Sequence, residues 1–252
     1  MPAPITIIDD VIARLDEIIA ENLANNDALG YFPVLYRRVT VKVKEGIEAG
    51  FFADGQRMER LDVIFAKRYI DAYDAFKDGT PCTHVWLKAF DLADQYWPIV
   101  LQHLMVGINA HIALDLGIAA AETQRGKSMV ELREDFERIN EILASLVTEV
   151  QENLVAIWPR LSWVLRKTGT IDDVIVDFGM ELARNDAWRF AEQLHAVPKS
   201  NWPTMIASRD QKVAVQADHI TAEKSWILQL ATRIIRLGER GTVREKIGRL
   251  MG

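Results

Sequence analysis

Between Tyr96 and Ala121 almost every residue is apolar or small, in the run Tyr-Trp-Pro-Ile-Val-Leu-Gln-His-Leu-Met-Val-Gly-Ile-Asn-Ala-His-Ile-Ala-Leu-Asp-Leu-Gly-Ile-Ala-Ala-Ala. Apolar residues on all faces predict a helix that is buried all round. Pro98 suits its first turn, where a missing N–H has no intrahelical partner to lose. The pattern therefore predicts a central helix over about 97–121, and its small residues (Gly107, Ala110, Ala113, Gly117, Ala120) would let neighbouring helices come close. Polar interruptions are too frequent for the roughly 20 apolar residues of a membrane span.

Elsewhere the apolar positions fall on single stripes at helical spacing. They predict helices over about 8–27, 31–49 and 57–76, the last with Leu61, Phe65, Tyr69, Ala72 and Phe76 as its stripe and Asp62 at its edge. A shorter helix over 84–95 leads into the central one. Ser128 and Glu131 have capping-box spacing and would open a long helix, interrupted at Pro159, with Trp158 and Trp163 as core aromatics. A helix over 171–195 is expected from Ile175, Phe178, Leu182 and Phe190. Pro198, Trp202 and Pro203 mark a loop, Ser208 and Gln211 suit a cap, and a last long helix follows over about 209–237 with Val213, Ile220, Ile227, Leu230 and Ile234. Thr242 and Glu245 would cap a short basic tail helix over 241–252. No alternating strand-like run of useful length interrupts this series. The expected fold is all-α, one domain of about seven to nine helices over 1–252 packed round the central helix.

The chemistry to be explained lies in the polar residues on apolar faces. His103, Asn109, His111 and Asp115 interrupt the central helix, and a carboxylate in such a place needs a partner. His111 and Asp115 are four apart, so they share a face, about 6 Å apart along the axis. His103 is about 12 Å from His111 along the axis and cannot reach the same ion from one helix. His219 and Glu223 repeat the four-residue spacing, and Asp186 stands where the Leu182–Phe190 stripe calls for an aliphatic residue. Imidazole and carboxylate at one-turn spacing can place two ligands on one ion, and helical bundles hold such sites between facing helices. On this reading His111, Asp115, His219 and Glu223 are metal ligands, with Asp186 and His103 as catalytic candidates. Mixed nitrogen and oxygen donors suit zinc, iron or manganese without choosing among them.

A second reading needs no metal. His111 and Asp115 would hydrogen-bond to each other in a polar gap, Asp186 would accept from Arg68 or Arg184, His219 and Glu223 would face water, and His103 would be a satisfied core histidine. His84 and His195 fall near helix ends as ordinary surface residues. Composition narrows the field: 49% hydrophobic and 26% charged residues describe a folded globular chain. A net charge of −6 and a pI of about 5.5 argue against nucleic-acid binding. The first residues carry no basic segment before an apolar core, so no signal peptide is expected. A lone Cys82, expected to be an inert loop thiol, excludes an internal disulfide and suits a cytoplasmic setting.

The run His103-Leu-Met-Val-Gly-Ile-Asn-Ala-His111-Ile-Ala-Leu-Asp-Leu116 resembles the His-x-x-x-Gly-x-Asn-Ala-His-Ile-x-x-Asp-Leu helix of a bacterial all-helical family of unknown function. Leu61-Asp-Val-Ile-Phe-Ala-Lys-Arg-Tyr69 and Ala183-Arg-Asn-Asp-Ala-Trp188 are also similar, so the resemblance spans about 31–235. It implies that His103, Asn109, His111, Asp115 and Asp186 belong to the family's pattern; His219 and Glu223 have no match in it. It implies no activity. Two functions follow from the residues: a metal-dependent enzyme, hydrolytic or oxidative, acting on a small molecule, or a non-enzymatic helical protein binding an apolar ligand or a partner helix.

Overall fold

Each helix along the chain forms where an apolar stripe can be buried. The computed structural model describes residues 4–158, 180–221 and 226–251. Among them are eleven α-helices and no strand. Helices α1 (Ile8–Asn25), α2 (Tyr31–Glu48) and α3 (Gly55–Lys77) come first. α1 buries Val11, Leu15, Ile18 and Asn22 at helical spacing and ends at Asn26 in the left-handed region, φ 56°. α4 (His84–Asp91) runs into a 3-10 turn, Leu92–Asp94.

The central segment is three pieces rather than one. α5 (Val100–Ala110) gives way to a π turn over His111–Asp115 and then to α6 (Leu116–Thr123). By length and composition Val100–Thr123 could cross a membrane, but 89% of its apolar window is buried inside the molecule, the disposition of a core helix. α7 (Val130–Ile157), α8 (Met180–His195), α9 (Trp202–Thr221), α10 (Trp226–Gly238) and α11 (Val243–Met251) complete the chain. α2, α4 and α9 pack on α5, while α3 and α8 pack on α6. Gly117 makes the last contact possible, since a Cβ there would sit 2.7 Å from the Ala187 carbonyl oxygen; one at Gly107 would overlap the Phe32 ring. The expectation that small residues admit close neighbours holds at both.

Remote carboxylates satisfy helix ends that local residues leave open. α4 has no side-chain cap of its own, and Asp210 of α9 accepts from the N–H groups of His84 (2.8 Å) and Val85 (2.9 Å). Glu239 accepts from the Val100 N–H at the start of α5 (2.8 Å) while pairing with the buried Lys246 at 2.7 Å. Asp135 takes the N–H groups of Ala53 and Asp54 just ahead of α3 and the Arg57 guanidinium in its first turn. Cross-links of this kind tie sequence-distant helices together with groups that composition alone would place on the surface.

Several boundaries differ from expectation. α5 starts at Val100, so Pro98 precedes the helix instead of entering its first turn. Trp202 and Pro203 open α9 instead of marking a loop, because proline's missing N–H is harmless there; Ser208 lies inside that helix. The Ser128 hydroxyl accepts from Val130 and not from Glu131, so no capping box forms. The box at Thr242 and Glu245 does form, with bonds of 2.7 and 3.2 Å. Leu182 is 74% exposed and Ile234 is also exposed, so neither is core. The π turn, which divides the central helix, raises the helix number among the described residues above the expected seven to nine. Trp163, Ile175, Phe178 and Glu223 lie outside the described residues.

Candidate functional site

Helix periodicity brings three elements to one point. On α3, Asp62, Phe65 and Tyr69 share a face, being three and seven residues apart; on α2, Phe32 and Tyr36 are one turn apart. These faces close on His111 in the π turn. Phe65 stacks flat on the imidazole (centroids 3.5 Å, 8°), Tyr36 meets it edge-on at 4.4 Å, and Phe32, Trp86 and Tyr69 complete the cage at 5.8, 5.9 and 6.4 Å. His111 is 2% exposed and Asp115 0%. Both are buried, as the all-round apolar pattern predicts.

Asp115 is the most heavily engaged group in this interior. Its Oδ1 accepts from Arg68 Nε at 3.0 Å; its Oδ2 accepts from Trp86 Nε1 at 2.7 Å and lies 3.3 Å from His111 Nδ1. Burial outweighs the attraction of Asp115 and pushes the His111 pKa down, so the ring is neutral with a single proton. Because the carboxylate only accepts, that proton belongs on Nδ1. Nε2 is then an acceptor lone pair, and it is buried with no hydrogen-bond partner among the described residues.

Two more buried polar atoms, the Tyr69 hydroxyl and Asp62 Oδ2, likewise have no hydrogen-bond partner among the described residues. Asp62 is 6% exposed, and desolvation, with a smaller push from Glu59, raises its pKa from 3.8 to about 8. It is therefore a protonated acid at neutral pH and can donate. Burial, reinforced by the nearby Asp62, also raises the Tyr36 phenol well above its ordinary value. A void of about 20 Å³, bounded by Phe32, Tyr69, Trp86, Gly107 and His103, adjoins the cage.

The other candidate residues are elsewhere. His103 lies edge-on to Tyr31 at 5.3 Å, and burial, with Arg236 and Lys246 adding to it, depresses its pKa to about 3. It shares the small void with the cage but no hydrogen bond. Asp186, expected in the interior, is half-exposed and pairs with Arg209 Nη2 at 2.6 Å, not with Arg68 or Arg184. The inward face of α8 is Ala187, Phe190, Ala191 and Leu194, one position round from the stripe expected. Arg184 is buried over the Phe136 ring. His219 is exposed on α9, whose inward residues are Asp210, Val213, Ala214 and Ala217, so its expected inner position is corrected. His195 bridges the carbonyls of Gln124 and Lys127 and is half-buried, more engaged than expected of a surface residue. Among the described residues no three His, Cys, Asp or Glu side chains gather as a metal cluster.

The π turn is invisible to periodicity. Its companion is Arg209, whose Nε donates to the Ala113 carbonyl at 2.9 Å, within the turn where helical bonding is broken. Asn109, four residues before Ala113, donates to the Val213 carbonyl at 3.1 Å and so ties α5 to α9. Arg68, Trp86 and Tyr36 carry no signal of their own; only the one-turn spacing of His111 and Asp115 points to this place.

A sequence model described as a Family of unknown function (DUF5995) matches residues 8–223. The chain belongs to this family. The DUF5995 match starts one helix earlier than the resemblance in the central run suggests and ends sooner. It takes in every residue of the cage and leaves out α10 and α11. No curated protein and no solved structure matches the chain.

Proposed function

We propose that the cage around His111 is an interior site in which a small polar molecule undergoes proton transfer. His111 Nε2 is the base, Asp115 positions its ring and fixes the tautomer, and Asp62 and Tyr36 supply hydrogen bonds or protons from the facing helices. One observation carries the reading. Three buried polar atoms, on His111, on Tyr69 of its cage and on Asp62 about one turn from Phe65, have no hydrogen-bond partner among the described residues, and each such atom costs about 1–3 kcal/mol when unsatisfied. A fold selected for stability alone would replace them with apolar groups. Groups whose surroundings push their protonation apart, here a neutral imidazole and a protonated acid that both lie near Tyr36, are the equipment of general acid–base chemistry. Hydrolysis and isomerisation both fit this equipment.

In this reading Asp115 is no metal ligand. Both of its oxygens are committed, and the Arg68 guanidinium stands where a cation would have to approach. The zinc, iron or manganese reading requires Asp115 to exchange these bonds for a metal and predicts stoichiometric metal in purified protein, which elemental analysis decides. A non-enzymatic binding protein is the second reading, favoured by the near-complete closure of the cage.

The test is the pair Tyr69→Phe and His111→Gln. Tyr69→Phe removes a hydroxyl without a partner among the described residues and leaves the ring, so the melting temperature should rise; a clear fall would show the hydroxyl to be structurally engaged and refute the reading. Where the parent turns over a small molecule from a metabolite mixture, followed by proton NMR, His111→Gln should abolish turnover. Undiminished turnover in that variant would remove His111 as the base, and binding without turnover by the parent would favour the binding protein.

A further inference from the structure

Arg68 and Trp86, which hold Asp115 from α3 and α4, also line a groove of about 440 Å³ between α3, α4 and α9. That size lies within the range of small-ligand pockets. Its walls include Ala72, Ala75, Pro203 and Ile206, so much of it is apolar. The charged groups around it are unequally committed. Asp210 is engaged by the His84 and Val85 N–H groups and by His84 Nδ1, and Asp71 pairs with Lys67 at 3.1 Å. Arg68 is 31% exposed and uses only Nε, on Asp115. Its two terminal nitrogens make no hydrogen bond among the described residues. The Thr83 hydroxyl, also on the groove, is buried with no hydrogen-bond partner among the described residues.

We propose that this groove binds an organic carboxylate carrying a short apolar tail, its carboxylate on the terminal nitrogens of Arg68 and the Thr83 hydroxyl, its tail along Ala72, Ala75, Pro203 and Ile206. The planar fork of one guanidinium matches a carboxylate in two parallel hydrogen bonds. A phosphate, carrying more charge, would meet one cation and two nearby aspartates. Arg68 then stands between two carboxylates, Asp115 inside and the ligand outside. Occupation of the groove is thereby felt at Asp115 and at the Trp86 indole N–H that donates to it. The site does not require the cage around His111 to open or to be catalytic.

The experiment is a titration with hexanoate, read at the Trp86 indole N–H resonance, which Trp86→Phe assigns. The resonance should move and saturate in the parent. Arg68→Gln should weaken binding by about 10- to 100-fold, the range for loss of a charged hydrogen-bonding partner, with Arg68→Lys intermediate. Because Arg68→Gln also strands Asp115, Ala207→Trp serves as the second variant: Ala207 is an exposed groove residue away from Asp115, and an indole there should abolish binding in a folded protein. Asp62→Asn should bind hexanoate like the parent, so failure of the cage chemistry leaves this result standing. The proposal is overturned if hexanoate leaves the Trp86 resonance unmoved, if Ala207→Trp binds as tightly as the parent, or if inorganic phosphate binds as well as hexanoate.

Discussion

Replacing Asp62 by asparagine turns the unpaired acid of the cage into a measurable pH dependence. The folded pKa of Asp62 is about 8 and its ordinary value is 3.8. The folded protein therefore holds a proton that the unfolded chain releases. Between these values stability falls as pH rises; it is fully present below 3.8 and lost by about 8. At about 1.4 kcal/mol for each pH unit, the full loss is on the order of 6 kcal/mol, and about 4 kcal/mol of it has accrued at pH 7. The amide of the Asp62→Asn variant keeps the shape of the acid and has no proton to lose. Urea unfolding, followed by far-ultraviolet circular dichroism at pH 5, 6, 7 and 8, should show the variant more stable than the parent. The difference should widen by about 1.4 kcal/mol for each pH unit up to pH 7. The depressed pKa values of His103 and His111 act in the opposite sense, adding stability as pH rises towards 6.5. They are common to both proteins and cancel in the difference. Parallel pH profiles for parent and variant would mean that Asp62 is ionised or solvated in the folded protein, and no protonated donor would then stand beside Tyr36.

Asp115→Ala should lower stability by about 3–5 kcal/mol in the same assay, because it removes the partner of Arg68 Nε and strands the Trp86 and His111 N–H groups in the interior; a loss below about 1 kcal/mol would show these groups to be solvated. Gly117→Ala should cost about 1–3 kcal/mol, since the new Cβ meets the Ala187 carbonyl of the facing helix at 2.7 Å and backbone cannot step aside as a side chain would. A melting temperature equal to the parent's would mean that α6 and α8 are not in such close contact.

The helices are legible because their stripes are the direct imprint of one buried face per helix, and α1 to α4 stand within a few residues of where periodicity puts them. The buried pair is legible for the same reason: on a helix apolar all round, His111 and Asp115 have nowhere to go but inside. What periodicity does not convey is which distant group meets which. Asp186 reads as an interior acid only while Leu182 reads as core, yet the face of α8 is set by packing on α6, and Leu182 points outward. Arg68 has the sequence setting of an exposed cation on α3 and instead reaches Asp115 across 47 residues of chain. In the π turn the Ala113 carbonyl accepts from Arg209, nearly a hundred residues away, a partner that no local pattern announces. Asp62 is visible at the edge of its stripe, but its protonation comes from the dryness of the site, which only the assembled helices create.

Burial holds His111 neutral against the attraction of Asp115, and Asp115 keeps the ring's proton on Nδ1, leaving the Nε2 lone pair inside the cage. Nitrogen-15 NMR of the histidine side chains, with His111 assigned by its substitution, reads this directly. A single neutral form is predicted for His111, protonated at Nδ1 and bare at Nε2, unchanged from pH 8 down to pH 6. A proton on Nε2, or a cationic ring at pH 7, would contradict it.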